Sequence, residues 1–305
     1  MIKTFFAAVS AVTLLSALPA IAAETLDETP RIAVMSAFGP EWIELQAALS
    51  EREDYEVNGT TFATGLIEGK PVVLFLTGVS MVNAAMTSQL VIDRFNITSI
   101  VFSGIAGGVN PERHIGDVIV PAKWAQYLEV TLARETGEGE FAVPSFQTAP
   151  FPNYGMIFPQ EVEVAREGGE LEGKFWFDVD ADLLAIAEKV AAEVELEHCV
   201  EPSNCLTTTP SIHVGGNGVS GAAFVDNAEF REYAFETFEA QVLDMESAAV
   251  AHVAYANGVP FIAFRSLSDL AGGGEEANQM GTFMGLASAN SAAVVTRFLA
   301  ELPAE

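Results

Sequence analysis

Apolar runs of strand length alternate with segments of helical spacing along most of the chain. "RIAVMSAF" from Arg31 reads as a buried strand, and "YEVNGTTFATGLIEGKPVVLFLTGVS" as a hairpin followed by a central strand over Val72 to Leu76. "SIVFSGIAGGV" reads as a strand running into a glycine turn, and "IGDVIVPAKWAQYL" continues as strand. Another strand is expected near Ser211 to Val214, and a last one, Val259 to Phe264, delivers Arg265 and then Asp269 into a glycine-rich turn. Helical periodicity marks Ala84 to Phe95, Ala181 to Val194, Ala228 to Thr237, Met245 to Ala256 and Gly281 to Leu302. Such alternation predicts an α/β sheet covered by helices on both faces.

Two stretches depart from this pattern. From about Ala133 to Asp178 the chain is rich in Gly, Pro, Glu and Phe, which predicts an excursion from the sheet over a pocket or an interface. At the start, Lys3 precedes "FFAAVSAVTLLSALPAIAA", an apolar stretch that ends in small residues. This predicts a secretory signal over residues 1–23, cut near Ala22 or Ala23, because the run is short for a membrane span and no basic stop-transfer cluster follows it. Residues 24–305 contain no repeat and no convincing linker, so a single domain is expected.

Export changes the meaning of the two cysteines. In an oxidising compartment, periplasmic or extracellular, Cys199 and Cys205 in "HCVEPSNCL" are expected to form a small loop-closing disulfide. The formal net charge of -28 argues against nucleic acid or an anionic membrane surface as a partner. Such acidity otherwise describes a solvated surface.

In open α/β sheets, ligands gather beyond the carboxyl ends of strands. Three such ends carry polar chemistry here: "RIAVMSAFGPEW" with Glu41, "VFSGIAGG", and "FIAFRSLSDLAGG" with Arg265, Ser268 and Asp269. Singly, each has an ordinary explanation. Glu41 and Glu246 lie in the first turn of predicted helices, where the dipole favours an acid; Asp269 suits a helix cap; and "GIAGG" suits a tight turn, since it lacks both the P-loop lysine and the dinucleotide fingerprint.

In combination these residues carry a resemblance. "LDMESAAVAHVAYANGVPFIAFRSLSDLA", with its D-M-E and R-x-x-S-D elements, resembles the nucleoside phosphorylase and nucleosidase superfamily, and most of all the 5'-methylthioadenosine/S-adenosylhomocysteine nucleosidases. "RIAVMSAFGPE", "LTGVSMVNAA", "SGIAGG" followed by "IGDVIV", and "VSGAAFVDN" support it, so that the likeness runs from Arg31 to Leu302. The Cys199 to Cys205 loop and the FVDN element look more like exported relatives and plant storage proteins of this superfamily.

The resemblance implies a three-layer αβα sandwich with a mixed, partly barrel-like central sheet, a homodimer, and no cofactor or metal. It implies that Asp269 is the general acid, oriented by Ser268, and that Glu41 activates water. Glu246 is then the acid on the ribose hydroxyls, Met245 its neighbour under the sugar, and Arg265 the arginine near water and Glu246. Phe224 and Val225 match the stacking aromatic and the backbone that reads the purine edge, and Met280 or Phe283 would border the 5' substituent, the alignment there being loosened by the insertion "GGGEEAN". Ile105 stands where many nucleosidases carry a small polar residue.

Cleavage of a ribosyl C–N bond builds positive charge on the sugar and negative charge on the departing purine, as in glycoside hydrolysis. A protonated Asp269 relieves the second, and an ionised Glu41 draws a proton from water. The expected function is therefore hydrolysis of a purine nucleoside, a small-molecule partner. Phosphorolysis is the alternative, disfavoured because an acid at Glu41 repels phosphate and the arginines of the phosphorylases are missing from Phe38-Gly39-Pro40-Glu41 and Ser103-Gly104-Ile105. A non-catalytic nucleoside-binding or storage protein on the same scaffold is the other alternative.

Overall fold

The computed structural model describes residues 25–166, 168–274 and 277–303; the leader expected over residues 1–23 lies outside them. In chain order the elements are β1 (Asp27–Ser36), α1 (Gly39–Ala48), β2 (Ser50–Val57), β3 (Thr60–Ile67), β4 (Lys70–Leu76), α2 (Met81–Arg94) and β5 (Phe95–Gly108). There follow β6 (Val118–Val120), β7 (Lys123–Gln126), β8 (Trp176–Asp178), α3 (Ala181–Ala191), β9 (Ile212–Val214), β10 (Asn217–Ser220) and α4 (Ala228–Phe238). The chain ends with β11 (Ala240–Asp244), α5 (Ser247–Asn257), β12 (Phe261–Asp269) and α6 (Met280–Glu301).

These twelve strands form one mixed sheet in the order β8-β7-β10-β11-β5-β1-β4-β3-β2, with β12 bridging β5 and β6, and β6 pairing β9. The first hairpin turns at Asn58-Gly59, both at positive φ (52 and 81), as a right-twisted two-residue connection requires. Strand β5 is the spine of the sheet. It runs parallel to β1 through Phe102 and to β12 from Ile100 to Gly107, then pairs antiparallel with β11 at Gly107 and Gly108.

Helices cover both faces of the sheet. On β12, Phe264 packs its ring on Phe298 of α6, while the next residue, Arg265, bonds Ser247 at the start of α5. Because successive strand residues point to opposite sides, α5 and α6 lie on opposite faces. Helices α1 and α3 join α6 on its side, and α2 packs on α5 on the other. Helix α6 is long and apolar enough to cross a membrane by length and composition, but 61% of its apolar window is buried in the protein, as befits a core helix.

Several boundaries differ from the sequence reading. "SGIAGG" is strand rather than turn, because Gly107 and Gly108 are paired on β11 and β12 takes up the neighbouring edge. Likewise β12 extends through Arg265 and Asp269, with all nine residues buried, so these two polar groups belong to the strand itself. "IGDVIVPAKWAQYL" is broken after Val120, where Pro121 has no N–H to give a ladder. The expected excursion at 133–178 holds short hairpins, yet its last residues, Trp176 to Asp178, return to the main sheet beside β7. Strand β11 has no counterpart in the sequence reading. Cys199 and Cys205 form the disulfide, with an S–S distance of 2.01 Å.

Candidate active site

The carboxyl ends of β1, β5, β11 and β12 converge on a cavity of 240 Å3. Glu41 enters it from the first turn of α1, just past β1. Its Oε2 accepts from Ala37 N (2.6 Å) and Phe38 N (3.2 Å), and its Oε1 accepts from Ile105 N on β5 (2.8 Å). Burial pushes the Glu41 carboxyl above its ordinary value, while Arg265 and these three N–H groups pull it back. The three backbone N–H groups can only donate and so favour the ionised form of Glu41, whereas a hydroxyl such as Ser268 beside Asp269 can also accept a hydrogen bond from the protonated acid.

Asp269 closes β12. Its Oδ1 accepts from Ala271 N (2.8 Å), and its Oδ2 accepts from the Ser268 hydroxyl (2.9 Å). Here too burial is the largest effect and raises the pKa; donors at Ala271, Ser268 and Asn278 oppose it and the nearby Asp226 charge adds to it. A Cβ at Gly107 would lie 3.3 Å from Asp269 Oδ1, whereas Glu41 is bonded at Ile105. Ile105, which bonds Glu41, and Gly107, which pairs with Asp269, are two residues apart on β5, a rise of about 7 Å.

Arg265 lies beneath the cavity and is fully buried. Its Nε donates to Ser247 Oγ (2.9 Å) and lies 2.8 Å from Asp244 Oδ2, and its Cζ sits 3.9 Å from the centre of the Phe102 ring. Nη1 stands 3.8 Å from Glu41 Oε1 and Nη2 stands 3.7 Å from Glu246 Oε2, and neither has a hydrogen-bond partner among the described residues. One guanidinium therefore faces three acids. Gly104, paired with Arg265 across β5 and β12, leaves the necessary space: a Cβ there would strike Arg265 Nη1 and Glu41 Oε1.

Glu246 precedes α5 rather than lying in its first turn, and its side chain makes no cap bond. Instead Oε1 accepts from Ser80 N (2.7 Å), which brings the start of α2 to the site. Burial raises its pKa to about 7, with Arg265 opposing and Asp244 and Glu41 adding to the rise. Ser80 holds that N–H in place at φ 80 and ψ 161, a backbone region used almost solely by glycine.

Of the residues singled out in the sequence, Glu41, Ile105, Phe224, Val225, Met245, Glu246, Ser268, Asp269 and Met280 all line this one cavity. Phe224 is 57% exposed, an apolar ring left open at its rim. Arg265 lies beneath the cavity, and Phe283 faces elsewhere. One turn further along α6 from Met280, it lines a neighbouring cavity with Ile115, Leu206 and Leu270. Asp244 was overlooked although it opens the D-M-E element. Its Oδ1 accepts from Glu246 N (3.2 Å), Ser247 N (3.1 Å) and the Ser220 hydroxyl, so it fixes the turn that presents Glu246.

Fold and cavity together define an α/β protein with two buried, differently bonded carboxyls in one cleft at the strand ends. The chain belongs to the phosphorylase superfamily, whose family model matches residues 31–300. It is similar to a 5'-methylthioadenosine/S-adenosylhomocysteine nucleosidase of Bacillus cereus, 28% identical over 275 residues that cover 89% of this chain and 99% of that one. It is also similar to bark storage protein A of Populus deltoides, 25% identical over 271 residues, covering 83% and 81%. Among solved structures, the S. pneumoniae 5'-methylthioadenosine/S-adenosylhomocysteine nucleosidase shares the fold with a TM-score of 0.69 at 23% identity, covering 90% of this chain and 100% of that one. The futalosine hydrolase of Helicobacter pylori does so with a TM-score of 0.68 at 22% identity, covering 90% and 98%.

Proposed function

We propose that the protein hydrolyses the N-glycosidic bond of a purine nucleoside of the 5'-methylthioadenosine or S-adenosylhomocysteine type and releases the base. One observation carries this reading: Asp269 and Glu41, both buried and held by different partners, share a cavity with Glu246 above a single arginine.

In the proposed reaction, neutral Asp269 gives its proton to purine N7 as the C1'–N9 bond breaks, so that the bonding electrons leave with the base. Glu246 accepts hydrogen bonds from the ribose hydroxyls. Glu41 takes a proton from water as its oxygen bonds to C1', and Arg265 faces the charge that gathers between Glu41 and Glu246. The products are the free purine and the ribose bearing its 5' substituent. Phe224 offers its exposed ring to the base, and Val225, Met245 and Met280 enclose the nucleoside.

Hydrolysis is preferred to phosphorolysis because the cleft lining is acidic and, among the described residues, holds no lysine or arginine, Arg265 lying beneath it with three acids around it. The deciding experiment measures adenine release from methylthioadenosine with and without phosphate. Release independent of phosphate supports the reading, and strict dependence on phosphate overturns it. The likeness to bark storage protein A favours a second reading, nucleoside binding without turnover. Calorimetric binding with no adenine released over hours would select it.

The same reading includes export through the leader at 1–23 to a periplasmic or extracellular site, supported by the Cys199–Cys205 disulfide. It also includes a homodimer without nucleic-acid or membrane partners. Val82 of α2, 79% exposed, lines a groove with Ala85, Ala249 and Val253, and Met86 of the same helix is 62% exposed, which supports self-association on this face. Sedimentation of the mature chain tests the pairing, and fractionation with N-terminal sequencing tests the export.

A further inference from the structure

The loop after β12 holds groups that the proposed reaction does not use. Ala271 and Gly272 sit at φ 51 and φ 87, and a Cβ on Gly272 would strike the backbone of Asp226 and Asn227. Asn227 N donates to Ala271 O (3.1 Å). The loop therefore lies backbone against backbone on the segment that follows Phe224 and Val225. Asn278 ties the same joint: its Nδ2 donates to Asp226 Oδ1 (3.1 Å), and its Oδ1 accepts from Met280 N (2.9 Å) at the start of α6. Ala271, held at this joint through its carbonyl, in turn donates its N–H to Asp269 Oδ1 (2.8 Å), so the joint reaches the acid through one residue. Behind the joint lies a second cavity of 130 Å3, lined by Asp226, Leu270, Gly272, Asn278 and Gln279 among others. Packing behind the joint is correspondingly thin, and the polar contacts do much of the fixing.

We infer that Asp226 and Asn278 are positioning residues that pin the loop after β12 to the base-binding segment and seat the Asp269 carboxyl against the purine. This rests on the assignment of Asp269 as general acid. The two residues act on that acid in opposite senses. The Asp226 charge disfavours ionisation of Asp269, and the Asn278 amide favours it. Among the described residues, the other charged groups about the cleft are Glu41, Asp244 and Glu246 lining it, Arg265 beneath it, and Arg231 of α4, which donates to Gly108 O and Asn110 O beside the loop. All five stay in place in the variants below.

The test uses Asp226→Asn and Asn278→Ala in the full chain with two readouts. One is the 13C NMR titration of aspartate carboxyls without substrate, the Asp269 signal being assigned by its loss in Asp269→Asn. The other is the pH profile of kcat/KM for adenine release from methylthioadenosine. Asp226→Asn is expected to lower the Asp269 midpoint and the alkaline limb of the profile together. Asn278→Ala is expected to raise the midpoint and to cut kcat by roughly tenfold or more through misplacement of the acid. An Asp269 midpoint unmoved by Asp226→Asn, or by both variants, overturns the inference. A wild type that releases no adenine overturns the proposed reaction, while the NMR midpoint still decides the joint. Asp226→Asn is nearly isosteric and suffices where the alanine variant does not fold.

Discussion

Arg265 Nη1 stands 3.8 Å from Glu41 Oε1 across the end of β5, with glycine at 104 as the reason both groups fit. The arginine is fully buried and shared among Glu41, Asp244 and Glu246, so its removal would leave three acids in low dielectric without a counter-charge. Arg265→Leu is expected to cost roughly 3–5 kcal/mol of stability, as for the breaking of a buried pair. Chemical denaturation checks this, and a loss under about 1 kcal/mol would show that the acids simply protonate.

Gly104→Ala adds one methyl where Arg265 and Glu41 already meet. Overpacking of this kind costs about 1–3 kcal/mol. Activity should fall further than stability, by about 100-fold, because displacement of a catalytic carboxyl by an ångström is enough. Adenine-release kinetics on the folded variant give the comparison.

Asp269→Asn keeps the shape of the acid and removes its proton. Turnover is expected to drop by about 100 to 10,000-fold with nucleoside affinity retained. Single-turnover assays and calorimetry measure the two quantities separately, and equal loss of both would make Asp269 a binding residue instead.

The pH profile of kcat/KM should be bell-shaped. Activity rises as Glu41 loses its proton and falls as Asp269 loses its own, and burial places both limbs above the usual carboxyl range. Stability has a separate dependence. Burial pushes the Glu246 carboxyl from its ordinary 4.5 up to about 7, so between these values the folded state holds the extra proton. Stability from this group is fully present below about 4.5 and is lost as pH rises toward about 7. Glu246→Gln should flatten that slope in denaturation curves recorded across the range.

Ser80 occupies φ 80 and ψ 161 to aim its N–H at Glu246. Ser80→Gly removes strain of about 1–3 kcal/mol, offset in part by the freer unfolded chain. A gain of roughly 1 kcal/mol with activity retained is expected from urea titration. A loss would mean that the serine side chain itself supports the turn.

Much of the fold was legible because burial on both faces writes itself as apolar runs, as in Val72 to Leu76 and Phe261 to Phe264. Strand β11 was less so: its five residues, AQVLD, leave little periodicity between α4 and α5. The glycines of "SGIAGG" read as a turn because their strand state depends on close neighbours, Leu243, Leu267 and Leu270 among them, that local sequence does not reveal. Asp244 escaped notice since its role is to hold backbone N–H groups two and three residues on, a task any turn aspartate performs.

The sequence by itself determined the alternation of strand and helix, the acids at the strand ends and the pair of cysteines, because these follow from local pattern and residue type. Tertiary structure alone decided that Glu41, Glu246 and Asp269 face one cavity over Arg265, that Ser80 reaches across from α2, and that Phe283 turns elsewhere. Those facts depend on register between strands far apart in the chain, where β5 brings residues 41, 104 and 265 together, and on burial, which raises the carboxyl pKa values only once the sheet has closed around them.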